Sequence, residues 1–304
     1  MSRRSALSLL AAAVVTGAGA AGLAQRDFST VEIRTEKLTA NISMLTGSGG
    51  NIAVCAGADG VLLVDDQYAP LTDKIRAAVT AISDQPIRYI VNTHWHSDHT
   101  GGNENFAKLG ALLVAHDNVR KRMSSEQYIA AFDSKVPASP ALALPVVTFS
   151  DSMTVHINDE DLMVTHVPHA HTDGDAIVWF RKANVVHMGD TFFNGMYPFI
   201  DVSTGGSIDG VIAATQGVLD RIGPETKLIP GHGPSADRAA LVAYHDMLVG
   251  ARDAIRQAAD GGVPLADVQK TKPTATWDAV WGNGFVKPDQ FVSFVFASMN
   301  SAKH

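Results

Sequence analysis

His94, His96, Asp98 and His99 fall within six residues, in the stretch Asn92-Thr93-His94-Trp95-His96-Ser97-Asp98-His99-Thr100-Gly101-Gly102-Asn103. Imidazole and carboxylate are the groups that borderline divalent metals, zinc above all, take as ligands. A lone histidine is usually a packed or surface residue. Four ligand-type side chains at H-x-H-x-D-H spacing, directly after the apolar run Ile87 to Val91, point instead to a metal site at a strand end.

Three later loops supply further candidates. They are Pro168-His169-Ala170-His171-Thr172-Asp173-Gly174-Asp175, Gly189-Asp190-Thr191 and Pro230-Gly231-His232-Gly233-Pro234, each following an apolar run. Each sets a ligand-type residue beside glycine, where backbone can fold tightly around a bound group. Singly these are weak signals: Gly-His-Gly-Pro is more often a turn, and a lone Gly-Asp says little. Together, in this order behind H-x-H-x-D-H, they form a strong one.

The elements that must position these loops can be read from periodicity. Val31 to Thr46 reads as two short strands, and Asn51 to Ala56 with Val61 to Asp65 as a hairpin turned by Asp59-Gly60. Leu71, Ile75, Val79 and Ile82 give one apolar helical face over residues 70–83. Residues 87–93 form a strand running into the metal motif. A helix over 102–109, a strand over 111–116 and a helical stretch over 117–132 follow, then a proline- and alanine-rich surface loop over 134–145. Strands are expected at 146–149, 153–157, 162–167, 176–180, 185–188 and 227–230. Helices are expected at 207–222, capped by Ser207, at 236–260, and through the last forty residues with a break at Gly282-Asn283-Gly284. Two strand-rich halves with helices between and after them predict an α/β fold, a four-layer αββα sandwich.

With those motifs in that order, the sequence resembles the metallo-β-lactamase superfamily over most of residues 40–235. The family fold is the sandwich reached from the strand order. The resemblance implies a site for two metals. His94, His96 and His171 would hold the first, Asp98, His99 and His232 the second, and Asp190 would bridge them. His171 is preferred to His169 because it directly precedes threonine with glycine near, as in family members; His166 lies in a strand and His169 would stand behind the ligands. Asn51 fits a family position near a strand start and reads as structural. Trp95 and Ser97 are expected to point away from the metals. The implied chemistry is hydrolysis by a metal-activated water attacking a carbonyl carbon, with Asp98 as the catalytic residue that orients the water and relays its proton. Two zinc ions are the expected cofactors; diiron relatives carry glutamate where His96 stands, although iron and manganese remain open.

The substrate is less legible. β-Lactam, lactone, thioester and phosphodiester hydrolases share these ligands. The best-known zinc β-lactamases have a cysteine at the position of Asp190, and the lysine that holds the β-lactam carboxylate in many of them has no equivalent in Phe192 to Tyr197. The run Phe192 to Ile200, with Trp281 and Phe285, is the candidate pocket wall, suited to an apolar, ring-bearing small molecule, or else simply core. A β-lactamase-like hydrolase opening a cyclic amide or ester is the expectation, with a lactonase, esterase or thioesterase as the alternative and a non-enzymatic metal- or ligand-binding module as the different-class alternative.

Composition narrows the partners. The chain has 304 residues, 46% hydrophobic and 18% charged, so it can bury a sizeable core. The formal net charge of −7 argues against a nucleic-acid partner. Arg3-Arg4 followed by the apolar run Ala6 to Ala24 reads as a signal peptide over residues 1–24, fit for either twin-arginine or general secretory export to the periplasm. Residues 25–304 then read as a single hydrolase domain with 22 basic and 31 acidic residues, a charge of −9. No later segment is long and apolar enough for an integral membrane span. The lone Cys55 permits no internal disulfide, and its apolar neighbours mark a buried thiol. Oligomeric state is not readable.

Overall fold

Alternating apolar residues in the strands are buried on two different faces, and this sets the layers. The structure is a computed structural model describing residues 27–301; the expected leader over 1–24, and His304, lie outside the described residues. Seven strands form the first sheet: β1 (Arg34–Lys37), β2 (Ile42–Thr46), β3 (Ile52–Gly57), β4 (Gly60–Val64), β5 (Ile87–Val91), β6 (Leu112–His116) and, after a separate hairpin of β7 (Gln127–Ile129) and β8 (Ser134–Val136), β9 (Val147–Phe149). Pairing is antiparallel as far as β4 and parallel from β4 to β9. The second sheet is β10 (Ser152–Ile157), β11 (Glu160–Val167), β12 (Asp175–Phe180), β13 (Val185–His187) and β14 (Lys227–Ile229), in that order, with β13 and β14 parallel.

Ala53 and Cys55 of β3, Leu62 and Val64 of β4, and Ala176, Val178 and Phe180 of β12 meet in one core between the sheets. Their neighbours Ile52, Val54, Val61 and Leu63 face outward, under α1 (Thr72–Ile82) and beside Phe106. Ile177, Trp179, Val186 and Leu228 face the opposite way, against helices that follow α2 (Ser97–Thr100), α3 (Asn103–Lys108) and α4 (Asp117–Met123) in the chain. These are α5 (Ile208–Leu219), α6 (Arg238–Ala258), α7 (Leu265–Lys270), α8 (Ala275–Trp281) and α9 (Pro288–Ser301). The expected αββα sandwich is therefore present. Because helices cover both outer faces, the central strands carry apolar residues on both sides. Ser207 Oγ accepts the amide of Gly210 and caps α5 as expected. Cys55 is fully buried, and burial pushes its thiol up to about 11.

One expectation needs correction. The helix expected over 117–132 stops at Met123, and β7 and β8 form a hairpin extending into the segment expected to be loop. Asp133 turns the hairpin in a left-handed conformation (φ 45°), which aspartate tolerates, and accepts a hydrogen bond from Tyr128 Oη at 2.7 Å. Arg122, at the end of α4, donates to Gln127 Oε1 and so ties the first strand back to the helix. The C-terminal region is helical and breaks after Trp281, where Gly282 begins the turn. No helix among the described residues is long and apolar enough to cross a membrane.

Strands β4, β5, β11, β13 and β14 all end at the same edge of the sandwich, the end from which parallel-sheet proteins present their ligand loops. The main chain closes the two sheets there: Ala176 N donates to Thr93 O at 2.8 Å, and Asn51 N to Gly231 O at 2.8 Å.

Candidate metal centre

The structure brings all seven expected ligand residues together at that edge. His94, His96, His171 and Asp190 form one group and Asp98, His99 and His232 another, and in each the ligand atoms lie within 4.8 Å of one another. Asp190 stands between the groups. Its Oδ2 is 3.7 Å from His94 Nε2 and 3.4 Å from His171 Nε2, while its Oδ1 is 3.1 Å from His99 Nε2 and 3.4 Å from His232 Nε2. The chain bends after β5 through Thr93 to Trp95, His96 is in extended backbone, and Ser97 to Thr100 form one helical turn that delivers Asp98 and His99 to the second group. Trp95 turns away among Ala115, Val119 and Met123, and Ser97 is exposed, as expected.

Four of the histidines are held from behind. His99 Nδ1 donates to Asp65 Oδ2 at 2.7 Å, His96 Nε2 to Asp201 Oδ2 at 3.0 Å, and His171 Nδ1 to Phe199 O at 2.8 Å. His94 Nδ1 pairs with Thr93 Oγ1 at 3.0 Å, and that hydroxyl donates to Asp65 Oδ2 at 2.8 Å. Such outer partners fix the tautomer and aim the other nitrogen, as a bare lone pair, into the site. Two consequences show that the donors fit a cation. His94 Nε2 is buried without a hydrogen-bond partner. His96 Nδ1 and His171 Nε2 face each other at 2.8 Å, yet both rings have already donated elsewhere; a shared cation satisfies two such acceptors.

Charge separates the two groups. Burial holds His94 well below the usual imidazole range, and it pushes His171 down to about 4, so both rings are neutral as ligands must be. Burial also opposes charge on His99 and His232, but there the carboxylates win. Asp190, Asp98 and Asp65 raise His99 well above its ordinary value, and Asp190 and Asp98 raise His232 to about 9. Burial would raise Asp190, yet His99 and His232 hold it well below the carboxylate range. The centre is most open at Asp98 and His232, whose side chains are each 22% exposed, and less so at His96, 9% exposed, while His94, His99 and His171 are at 1% or less.

Several supporting residues were not legible as such. Asp65 joins His99, Thr93 and, through Thr93, His94, but its sequence signal is only a carboxylate closing a strand. Asn51, read as structural, clamps the His232 turn: its Nδ2 donates to Pro230 O and Gly233 O at 2.9 and 2.8 Å. Asn92 and Asn103, the two ends of the opening motif, exchange side-chain hydrogen bonds at 3.1 and 2.9 Å and staple the ligand loop. His169 is exposed and bonds Gly205 O, and His166 stacks on His116 at 3.7 Å; neither joins a ligand group. The expected pocket wall divides. Phe192, Phe193, Tyr197, Phe199, Ile200 and Trp281 all belong to the helix-side core, but only Phe193 and Phe199 also reach the centre, stacking on His232 and His96.

Fold and centre together define an αββα sandwich with a His/Asp cluster of the kind that holds divalent metal ions at its edge. A sequence profile of the Metallo-beta-lactamase superfamily matches residues 45–243, and the chain belongs to that superfamily. Among its relatives, a hydroxyacylglutathione hydrolase from Polaromonas sp. is 27% identical over 60% of this chain and 60% of its own length. A 2,4-dinitroanisole O-demethylase subunit alpha from Nocardioides sp. is 25% identical over 53% of this chain and 47% of its own. The chain thus spans about half to three fifths of these relatives. A type 2 metallo-beta-lactamase from Bacteroides fragilis is 23% identical over 58% of this chain. Among solved structures, a metallo-beta-lactamase from Pontibacter korlensis superposes with a TM-score of 0.59 at 19% identity, covering 72% of this chain and 99% of that one. A sec-alkylsulfatase from Pseudomonas sp. gives 0.63 at 15%, covering 87% of this chain and 50% of that one, a likeness of fold.

Proposed function

We propose that this chain is an exported dizinc hydrolase that opens a cyclic amide or ester. The split carboxylate of Asp190, one oxygen toward each donor group, carries the reading. His94, His96 and His171 would hold one ion, Asp98, His99 and His232 the other, and Asp190 would serve both. Five imidazoles and two carboxylates suit zinc. Bound there, two divalent ions supply a Lewis acid for the carbonyl oxygen and a water acidic enough to attack near neutral pH.

The remaining work falls to side chains. Burial would raise the Asp98 carboxyl, but His99 and His232 keep it ionised well into acid. Its Oδ2 lies 3.4 Å from His232 Nε2, on the open side of the site. From there Asp98 orients the attacking water, holds its proton at Oδ2 and hands it to the leaving nitrogen or oxygen. Phe193 and Phe199 exclude bulk water from the histidine rings they cover.

Metal analysis should find about two zinc ions per chain. A panel of a chromogenic cephalosporin, a lactone, an aryl ester and a glutathione thioester then identifies the substrate class. Loaded protein that turns over none of them, or that carries iron alone, overturns the reading. Asp98→Asn should lower turnover by about 100- to 10,000-fold with the protein still folded; retained activity would contradict its role. Thioester hydrolysis is the second reading, favoured by the similarity to hydroxyacylglutathione hydrolases. Export rests on Arg3-Arg4 and the apolar run behind them. A cytoplasmic protein retaining residues 1–24 by mass would refute it.

A further inference from the structure

The aromatic side of the first donor group does not end at the site. Phe199 lies close to parallel with His96 (ring centroids 5.7 Å, planes 27° apart) and edge-on to His171 at 5.5 Å. Beyond it, Phe132 packs on Phe199 at 4.9 Å, and Phe285 on Phe132 at 5.6 Å. The row begins at buried ligand rings and ends in water: Phe199 is 6% exposed, Phe132 39% and Phe285 62%. A phenyl ring left in water forgoes roughly 2–3 kcal/mol of burial. Two such rings side by side, continuous with a ligand-binding site, mark a surface that something apolar covers.

Both outer rings are carried by braced segments. The Phe132 hairpin is locked across its turn by Tyr128 and Asp133, and Ala130 N donates to Ser203 Oγ. Arg122 ties the hairpin's root to Asp173 through a bidentate ion pair with contacts at 3.2 and 2.7 Å. Phe285 follows Gly284, whose backbone lies so close to Met196 that a Cβ there would meet the Met196 Cβ at 2.5 Å. Hairpin and turn thus dock on neighbouring parts of the segment that carries Phe199 and Asp201. Phe285 also lies beyond residues 45–243, the part of the chain matched by the family.

We propose that Phe132 and Phe285, with Phe199, form a subsite for an apolar, ring-bearing group of the substrate, on the His96–His171 side of the reacting bond. The proposal rests on the hydrolase reading for the rest of the substrate. Continuity with the donor group favours a substrate over a second copy of the chain as the occupant. An aromatic group there extends the row of offset and tilted rings, the arrangement aromatic pairs prefer.

The test reads binding without turnover, so failure of the hydrolytic reading leaves it interpretable. Thiols ligate zinc directly. Dissociation constants of 2-phenylethanethiol and ethanethiol are measured by calorimetry on the zinc-loaded wild type, Phe132→Ala, Phe285→Ala and the double variant. The expected result is a wild-type preference for the phenyl thiol of at least about ten-fold. The double variant should reduce it to under about three-fold with ethanethiol affinity unchanged, and each single variant should fall between. No wild-type preference, a preference surviving the double substitution, an equal loss for both thiols, or binding of neither overturns the proposal. So does a wild-type dimer that becomes a monomer in the double variant, which would make the patch an interface between copies.

Discussion

His94, His96, Asp98 and His99 stand out in the sequence because their spacing is local, whereas His171, Asp190 and His232 are singly weak signals that enter through the family resemblance; the fold brings all seven together. What aims them is not local. Asp65 follows β4, Asp201 lies after Phe199, and Thr93 is a hydroxyl with no motif of its own; each becomes visible only when separate strands end at one edge. Their effect on the metal can be measured. Asp65→Asn and Asp201→Asn each replace a charged acceptor behind a ligand ring with a neutral amide, weakening the hold on His99 or His96. Each should lower zinc affinity by about 10- to 100-fold in a chelator competition, without removing a ligand. Affinity equal to wild type would mean that those carboxylates do not tune the rings they touch.

At the scale of elements, long apolar periods were legible and short pairings were not. The period of α1, the Ser207 cap of α5 and the paired runs of β3 and β4 appear where expected. The hairpin after α4 does not, because its strands are three residues each and their alternation is too short to outweigh a helical start at Asp117. Glycines in the site loops act by close approach. A Cβ on Gly231 would stand 2.1 Å from Asp190 Oδ1 and 2.6 Å from the Gly189 carbonyl, whereas one on Gly217, inside α5, meets nothing within 4 Å. Gly231→Ala should therefore cost about 1–3 kcal/mol and lower the metal content. Gly217→Ala should gain up to about 1 kcal/mol through helix propensity alone. Urea melts of the two variants check the contrast; equal effects would refute the packing argument.

At the scale of the molecule, the two-sheet architecture was legible from the order of strand-rich and helix-rich stretches. The way C-terminal helices α7 to α9 complete one outer layer was not, since amphipathic helices do not state which sheet they cover. The layers meet at the edge where the ligands converge, so metal binding there favours the closed sandwich. The fully buried Cys55, the single thiol of the chain and part of the core between the sheets, turns that closure into a clock. A thiol reagent can reach it only when the sheets part, so in the fast-reclosing regime the labelling rate counts how often the sandwich opens. Stripping the zinc-loaded protein with a chelator should quicken labelling by at least about ten-fold. An unchanged rate would mean that the metals brace their own loops and leave the two sheets to hold themselves together.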